Sequence, residues 1–590
     1  MQTIQLFIAA THFPLPLYAT FTPSSPPSPW PAPHWHSAVQ LSPKPRPMQA
    51  ASCSKSSRPR PRRSPAAPSI PAQTAAAALP ADNTPVRVTG FAFEGNSVIS
   101  SEALANLLAD QRGDAVPFGQ LRASLARINA AYAAQGYFLA RALIPRQDLA
   151  GGGAGSGVGA GTLRIQILEG RLGQISSSLQ GKPLETAQAT LRAQGIVPGI
   201  ALRQEALERS LLLISERVGA ETSVALAPGS STGSTDISLQ TPVTPKNWSA
   251  QISLDNSGNR YSGELRALAD LSVRHLATPG DALQLRSQLS SGIKNLNIGY
   301  SLPIGYDGLR LEVQASHLSY ELCCQFAALQ AEGSASQWGL ALRYPLVLRA
   351  ERSINLEGGY ARRHSKDETF GATTADKIAT PVHLALSFND SSAAQGRLLQ
   401  NGRVALIRGQ LDQRVFVNPN TPKRYGKLQA NYGASYFTGS SQWLFKANGQ
   451  AAQTNLDSSE KLSLGGPNGV RGWPVGEASG DSGAVLSVEW RKPLGAQAGS
   501  GFTFSAFADT GQITQHNNLW PAALPAGQPN SYSLSSVGIG LAYQAGRNWS
   551  LSAQVARGLG KNPGRNLATG ANSDGRTRNT QLWVNAVVGF

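Results

Sequence analysis

From Trp248 to the final residue, apolar and polar side chains alternate with a period of two. Trp248, Ala250, Ile252 and Leu254 are interleaved with Ser249, Gln251, Ser253 and Asp255. Leu283, Leu285 and Leu289 alternate with Gln284, Arg286 and Gln288, and Leu309, Leu311, Val313 and Ala315 with Arg310, Glu312, Gln314 and Ser316. Leu582, Val584, Ala586, Val588 and Phe590 close the chain on one face. Successive side chains of a strand point to opposite sides, so each segment predicts a strand with one apolar and one polar face. Before Trp248 the pattern is different. Val86–Phe93 alternates as a strand, Ser100 or Ser101 can cap a helix carrying Leu104, Leu107 and Leu108, and a second helix is expected over about Phe118–Gln135. Strands over Tyr137–Ile144 and Leu163–Leu168 follow, the second after the Gly-rich stretch Gly151–Gly161. The order partly recurs, with helices over about Leu184–Gln194 and Gln204–Val218 and strands near Ser223–Leu226 and Asp236–Leu239. Two small α/β modules in tandem, joined through Gly170–Gly173, fit these lengths.

Alternation alone does not say what the apolar faces meet. In a sandwich they meet each other; in a membrane barrel they meet lipid while the polar faces line a wet lumen. The chain has 590 residues, 41% hydrophobic and 15% charged, with a mean hydropathy of −0.20. No apolar run reaches the roughly 18 residues of a membrane-spanning helix, and a barrel keeps its average hydropathy low in this way. Arg and Glu in mid-strand, together with an aromatic final residue inside a strand, favour the barrel. The stretch 246–590 accommodates roughly 16 strands of about ten residues with their turns. The expected organisation is therefore a Pro/Ala/Ser-rich leader over 1–84, modules over 85–172 and 173–245, and an antiparallel transmembrane β-barrel over 246–590.

Charge and chemistry narrow the function. Of the net charge of +17, the leader supplies +6, from seven Lys/Arg against Asp82. The leader is too rich in proline to bury a core and reads as disordered. Ile4–Ala10 is a short apolar run with no basic residue before it, a weak match to a secretory signal. No basic stripe with interleaved aromatics is present, which excludes nucleic acid as the expected partner. Cys53 stands apart from the adjacent Cys323 and Cys324, which are expected as two loop thiols, because neighbouring cysteines are poorly placed to bridge. No phosphate-binding or zinc-binding motif is found, and no metal or cofactor is expected. Gly480-Asp-Ser-Gly483 is similar to a serine-protease nucleophile loop, yet nothing around it supplies a base, so the chain is not expected to be an enzyme.

The informative constellation is a long Gly-rich stretch, Leu464–Gly483, carrying Val470-Arg471-Gly472-Trp473. Phe507-Ala-Asp509-Thr-Gly511 follows on a strand. The first segment resembles the Val-Arg-Gly-aromatic loop of the two-partner secretion transporters, the haemolysin secretion/activation type (ShlB/FhaC/HecB), within the BamA-related superfamily. The second resembles that superfamily's Phe-x-Asp-x-Gly strand. The paired modules are similar to the family's two POTRA domains, Ser253–Asn259 to its opening barrel strand, and Phe590 to its carboxy-terminal assembly signal. The resemblance implies that the loop folds back into the lumen, where Arg471 would pair with Asp509, Gly469 and Gly472 would give the backbone freedom, and Trp473 would pack on the wall. On the residues alone, an extracellular loop with a solvated Arg471 stays open.

The implied function is a pore in the bacterial outer membrane. Periplasmic POTRA domains would capture a large exoprotein of the TpsA type, haemolysin- or adhesin-like, by β-augmentation, and the pore would secrete it without ATP. The barrel-assembly machinery and periplasmic chaperones would act in biogenesis, and outer-membrane lipids would surround the wall. The alternatives are a BamA- or TamA-like assembly factor and a passive porin.

Overall fold

A computed structural model describes residues 83–147, 161–241, 247–497, 500–546 and 548–590. The leader up to position 82, with its apolar run and Cys53, lies outside the described residues, as does most of the Gly-rich stretch before Gly161. The described residues divide into two units, one ending at 241 and one beginning at 247.

The first unit contains two copies of one topology. In the first copy, the strand Gly90–Glu94 runs parallel to Thr162–Leu168, which is antiparallel to Arg141–Leu143 on its other side. Helices Ser101–Leu107 and Phe118–Ala134 pack on this sheet. Ser100 caps the first helix, accepting a hydrogen bond from the Ala103 amide at 3.3 Å. In the second copy Arg171–Ser177 runs parallel to Ser234–Gln240, which is antiparallel to Ser223–Pro228, with helices Lys182–Ala193 and Gln204–Val218. Each copy has its own core, Leu104, Leu121, Ile128, Leu163 and Ile165 in one and Leu191, Ile214, Ile237 and Leu239 in the other.

Several details depart from the periodicity. Val86–Phe93 is two strands, because Pro85–Val88 turns away to pair with Gly113–Pro117, a strand of mixed polarity that the pattern does not reveal. Tyr137–Ile144 is strand only over Arg141–Leu143; Tyr137 and Phe138 pack sideways against the two cores. The expected joint at 172/173 falls inside the strand Arg171–Ser177. Near it Glu169 is buried and accepts hydrogen bonds from Ser97 N (2.6 Å), Val98 N (2.8 Å) and the Tyr132 hydroxyl (3.0 Å). Burial would raise this carboxyl, but the donors outweigh it and hold it below its usual value.

The second unit is a closed barrel of sixteen antiparallel strands, each paired with its sequence neighbour. The strands lengthen from eight residues in Trp248–Asp255 to nineteen in Ala372–Asp390. The last strand, Thr580–Gly589, closes on the first through Asn585↔Asp255 to Gly589↔Gln251. Beyond this short seam the Asn256 side chain takes over the ladder, donating to Leu582 O at 2.7 Å and accepting from Val584 N at 2.8 Å. The Phe590 amide donates to Ala250 O at 2.8 Å, and its side chain is exposed. The apolar face of every strand points outward: Ile252, Leu254, Leu340, Leu384, Leu406 and Ile539 are exposed although large and hydrophobic. Water would not tolerate such a belt on this scale, whereas lipid requires it.

Cys323 and Cys324 are joined by a disulfide, contrary to the expectation of two separate thiols. The backbone at Cys324 is left-handed (φ 67°), which turns the chain between them. The Cys323 amide donates to Tyr261 O at 2.7 Å, and the rings of Tyr261 and Phe326 meet edge to face at 4.8 Å. The bridged loop is thus held on the loop that follows the first barrel strand.

Candidate functional site

The connection from Ala452 to Ser482 begins and ends at one rim but does not stay there: it folds against the inner wall. Alternation explains why the wall receives it. Phe507, Asp509 and Gly511 are two residues apart on the strand Ser500–Thr514, so all three face the lumen. On the neighbouring strands Ser487 and Ser536 stand opposite Asp509, with Glu489 two residues along on the same face. Further along these strands the inward positions become apolar: Val485, Ile513, Tyr532 and Leu534 pack with Leu464, Val470 and Trp473 of the loop.

Arg471 is placed at the polar end of this patch and is almost fully buried. Its Nη2 and Nε donate to Asp509 at 2.7 Å and 3.0 Å, and its backbone N–H reaches the same carboxylate at 3.1 Å. Nη1 donates to Glu489 Oε2 at 2.5 Å and Nη2 to Ser487 Oγ at 3.0 Å. The guanidinium plane lies over Phe507, 3.4 Å from the ring centroid. A planar fork with five N–H donors is the side chain that can satisfy two carboxylates and stack on a ring together. Hydroxyls of Ser487 (2.8 Å) and Ser536 (3.0 Å) complete the donors around Asp509. Trp583, from the closing strand, donates its indole N–H to Arg471 O at 2.8 Å. Trp473 is buried and donates to Ser535 O at 3.1 Å.

The glycines serve close approach rather than backbone freedom. Neither Gly469 nor Gly472 adopts a positive φ. A Cβ on Gly472 would meet Gly558 N and the Ser536 side chain, one on Gly469 would meet Leu464 O, and one on Gly511 would crowd Leu464 at 3.0 Å. Any side chain at Gly472 would lift the loop from the wall.

Sequence reasoning placed Val470, Arg471, Gly472, Trp473, Phe507, Asp509 and Gly511, and the structure brings all seven together. Phe590 lies apart from this site, at the barrel seam. Missed were Glu489, Ser487, Ser536 and Trp583. An acid inward in mid-strand was a visible signal for Glu489; the others carry none. Also missed was a second attachment at the loop's entry. There Asp457 Oδ2 meets Lys377 Nζ at 2.8 Å, and Glu460 meets Arg363 Nη1 at 3.0 Å and Lys427 Nζ at 2.7 Å. Burial pushes the Glu460 carboxyl up, but Lys427 and Arg363 outweigh it and bring it down to about 2. Lys461 closes the loop base on Asp481 at 3.1 Å. At the loop's exit Glu477 accepts from Asn562 (2.8 Å) and Ser573 N (2.7 Å), and burial holds its carboxyl above the usual range.

Ser482 hydrogen-bonds to Asn517 Oδ1 at 3.0 Å and the Ala452 amide at 3.0 Å, so the protease-like segment is a loop closure rather than a nucleophile with its base. Among the described residues no group of His, Cys, Asp and Glu could hold a metal ion.

The family described as haemolysin secretion/activation protein ShlB/FhaC/HecB matches residues 233–543, more than half of the chain. The chain belongs to this family. The ShlB-type POTRA domain matches residues 86–170, the first of the two modules. A heme/hemopexin transporter protein HuxB of Haemophilus influenzae (strain 86-028NP) is 26% identical, over 79% of this chain and 82% of its own. An outer membrane transporter CdiB of Dickeya dadantii (strain 3937) is 24% identical, over 67% and 71%. The solved structure of CdiB from Escherichia coli superposes with a TM-score of 0.70 at 19% identity, covering 89% of this chain and 93% of that one. The ShlB-type chain described here is accordingly an outer-membrane secretion pore, with POTRA domains in the periplasm and a sixteen-stranded barrel in the membrane. It is a transporter of a secreted partner protein, in a family of transporters rather than enzymes.

Proposed function

We propose that the pore exports one dedicated large exoprotein of the haemolysin or adhesin kind, and that the segment Leu464–Gly483 is the element it must pass. The carrying observation is the capture of Arg471 by Asp509 and Glu489 on the inner wall. An arginine solvated outside would have none of these partners. The two POTRA modules, the second opening with the strand Arg171–Ser177, receive the unfolded client in the periplasm. Their sheets end in edge strands, Ser223–Pro228 among them, on which an extended client segment can add by β-augmentation. No nucleotide drives transport; folding of the client outside supplies direction. Val470, Arg471, Gly472 and Trp473 set the loop's position, and Phe507, Asp509 and Gly511 are its seat. The exposed terminal Phe590 is the signal read by the barrel-assembly machinery, to which periplasmic chaperones deliver the chain. Relatives named as heme/hemopexin, haemolysin and CdiB outer-membrane transporters support a secreted protein as the cargo.

The test compares culture supernatants from cells carrying the wild-type gene, a deletion and Arg471→Ala. One large protein disappears in the deletion and falls in the Arg471 variant. Depletion of several outer-membrane barrels with an unchanged supernatant would replace the exporter by an assembly factor. No change in either, with the client expressed, would leave a porin.

A further inference from the structure

The outer wall changes character sharply on four adjacent strands: Arg352–Thr369, Ala372–Asp390, Leu398–Gln413 and Arg424–Thr438. Their outward positions through the middle are apolar, with Leu356, Tyr360, Val382, Leu384, Val404, Leu406 and Leu428. Toward one rim the outward positions turn polar: Arg362, Thr380, Arg408 and, beyond Gly426, Arg424, with the three arginines all exposed. Arg362 stands opposite Trp338, Arg408 opposite Val382, and Arg424 opposite Gln410. Trp338 packs its ring on Tyr360 at 5.5 Å, which marks the interfacial aromatic level beside Arg362.

The acids of this face are already engaged. Glu368 pairs with Lys366, Asp376 with His364 at 2.8 Å, and Asp412 with Arg414 at 3.4 Å. None of them is paired with Arg362, Arg408 or Arg424, so three guanidinium groups stand in excess at the edge of the lipid belt. The other ends of the same strands differ: there the outward Arg352 is neutralised by Asp390 at 2.7 Å. An unneutralised cation on a lipid-facing wall is costly at mid-membrane and tolerated only near the interface, where it gains if an anion meets it.

The rim concerned is the one opposite Trp248 and Phe590, because an even number of antiparallel strands returns the chain to its starting side. With the POTRA modules periplasmic, that rim faces the cell exterior. Arg362 and Arg408 lie two strands across and two residues along, about 12 Å apart, and Arg408 and Arg424 are diagonal neighbours at roughly 7–8 Å. Such a spread suits a headgroup with more than one phosphate better than a single-phosphate lipid. Arginine adds bidentate geometry to charge when it meets phosphate oxygens. We infer that Arg362, Arg408 and Arg424 form a docking surface for the diphosphorylated glycolipid of the outward leaflet. The surface binds two phosphate groups on its guanidinium forks while Trp338 and Tyr360 meet the acyl region below. The inference rests on the outer-membrane placement but is independent of any cargo.

The experiment uses the full chain in detergent micelles and measures binding by native mass spectrometry. Diphosphoryl lipid A, its monophosphoryl form, phosphatidylglycerol and phosphatidylcholine are titrated separately. The wild type binds diphosphoryl lipid A about tenfold more tightly than phosphatidylglycerol, with the monophosphoryl form between them and phosphatidylcholine weakest. The triple variant R362A/R408A/R424A loses that margin, and the triple Arg→Lys variant keeps part of it. Equal binding of phosphatidylglycerol and diphosphoryl lipid A would overturn the inference, since only general anionic attraction would remain. Undiminished binding by the alanine variant would overturn it too. Heat-modifiable migration of each variant on gels verifies a closed barrel, and the lysine variant keeps the test open should the alanine variant not assemble.

Discussion

The two attachments of the lumen segment use opposite chemistry. At the tip the loop brings one cation, Arg471, to carboxylates and hydroxyls built into the wall. At the base the loop brings two carboxylates, Asp457 and Glu460, to cations spread over three wall strands, Lys377, Arg363 and Lys427. The tip is a single preorganised fork with nearly every lone pair matched, stacked on Phe507 and flanked by an apolar patch. The base is a set of separate pairs, two of them made by lysines, which act as point charges without a fixed geometry. One side chain controls the tip, whereas the base divides its hold among several.

The largest effect is therefore expected at the tip. Arg471→Ala takes the guanidinium from the buried Asp509 and leaves Glu489 with Arg491; removing one partner of a buried pair costs about 3–5 kcal/mol. Protease cleavage or cysteine labelling of the loop in intact cells should rise strongly, and Arg471→Lys should recover only part, since an ammonium cannot replace the fork. If Arg471→Ala left the loop as protected as in the wild type, the base alone would be holding it.

At the base, Glu460→Gln removes the charge shared by Arg363 and Lys427 and should expose the loop less than Arg471→Ala, because Asp457–Lys377 and Lys461–Asp481 persist. The base also carries a pH signature. Glu460 in the folded loop is depressed to about 2 from the ordinary carboxylate value of about 4.5. A depressed carboxyl contributes its stability above its unfolded value and loses it as pH falls through the folded one. Loop protection in Arg471→Ala should thus fall between about pH 4.5 and about pH 2, and Glu460→Gln in that background should flatten this part of the titration. A wild-type-like acid titration in the double variant would remove Glu460 from the base.

Gly472→Ala comes next. The added Cβ meets backbone at Gly558 and the Ser536 side chain, and overpacking of this kind costs about 1–3 kcal/mol. Loop accessibility should rise moderately, while the barrel keeps its heat-modifiable migration. Full protection in this variant would mean the loop seats less closely than the geometry shows.

The same contrast explains what was legible in the sequence. The barrel was readable because each strand repeats a two-residue period with a lipid-facing side, and the structure realises it over sixteen strands. The tip was readable because its parts are adjacent in sequence: Arg471 and Trp473 sit in one short run, and Phe507, Asp509 and Gly511 share one strand face. The base was not. Asp457 and Glu460 meet Lys377, Arg363 and Lys427 only through the barrel's curvature, and no local pattern links them. The strand Gly113–Pro117 was hidden for a related reason, since its pairing with Pro85–Val88 is tertiary and its residues, Gly-Asp-Ala-Val-Pro, carry no strand period. The role of glycine at positions 469 and 472 was misread for want of the facing wall: what the sequence offers as backbone freedom is space for Gly558, Ser536 and Leu464.

The smallest expected effect tests how far the tip is a network rather than an ion pair. Ser536 donates to Asp509 Oδ2 at 3.0 Å, one donor beside the Arg471 backbone N–H, its Nε and Nη2, and Ser487. Ser536→Ala removes that donor without exposing a charge, because the Arg471 donors remain on the same carboxylate. A hydrogen bond to a charged group contributes about 1.5–3 kcal/mol when its acceptor is left with nothing else, and less where other donors can close in, so a loss nearer 1 kcal/mol is expected. In a double-mutant cycle with Arg471→Ala, a network predicts coupling: the serine should matter more once the guanidinium is gone, since Asp509 then depends on Ser487, Ser536 and the backbone N–H at position 471. Additive losses would mean that Arg471 and Asp509 hold the tip as an isolated pair, and the hydroxyls beside them would be filling space.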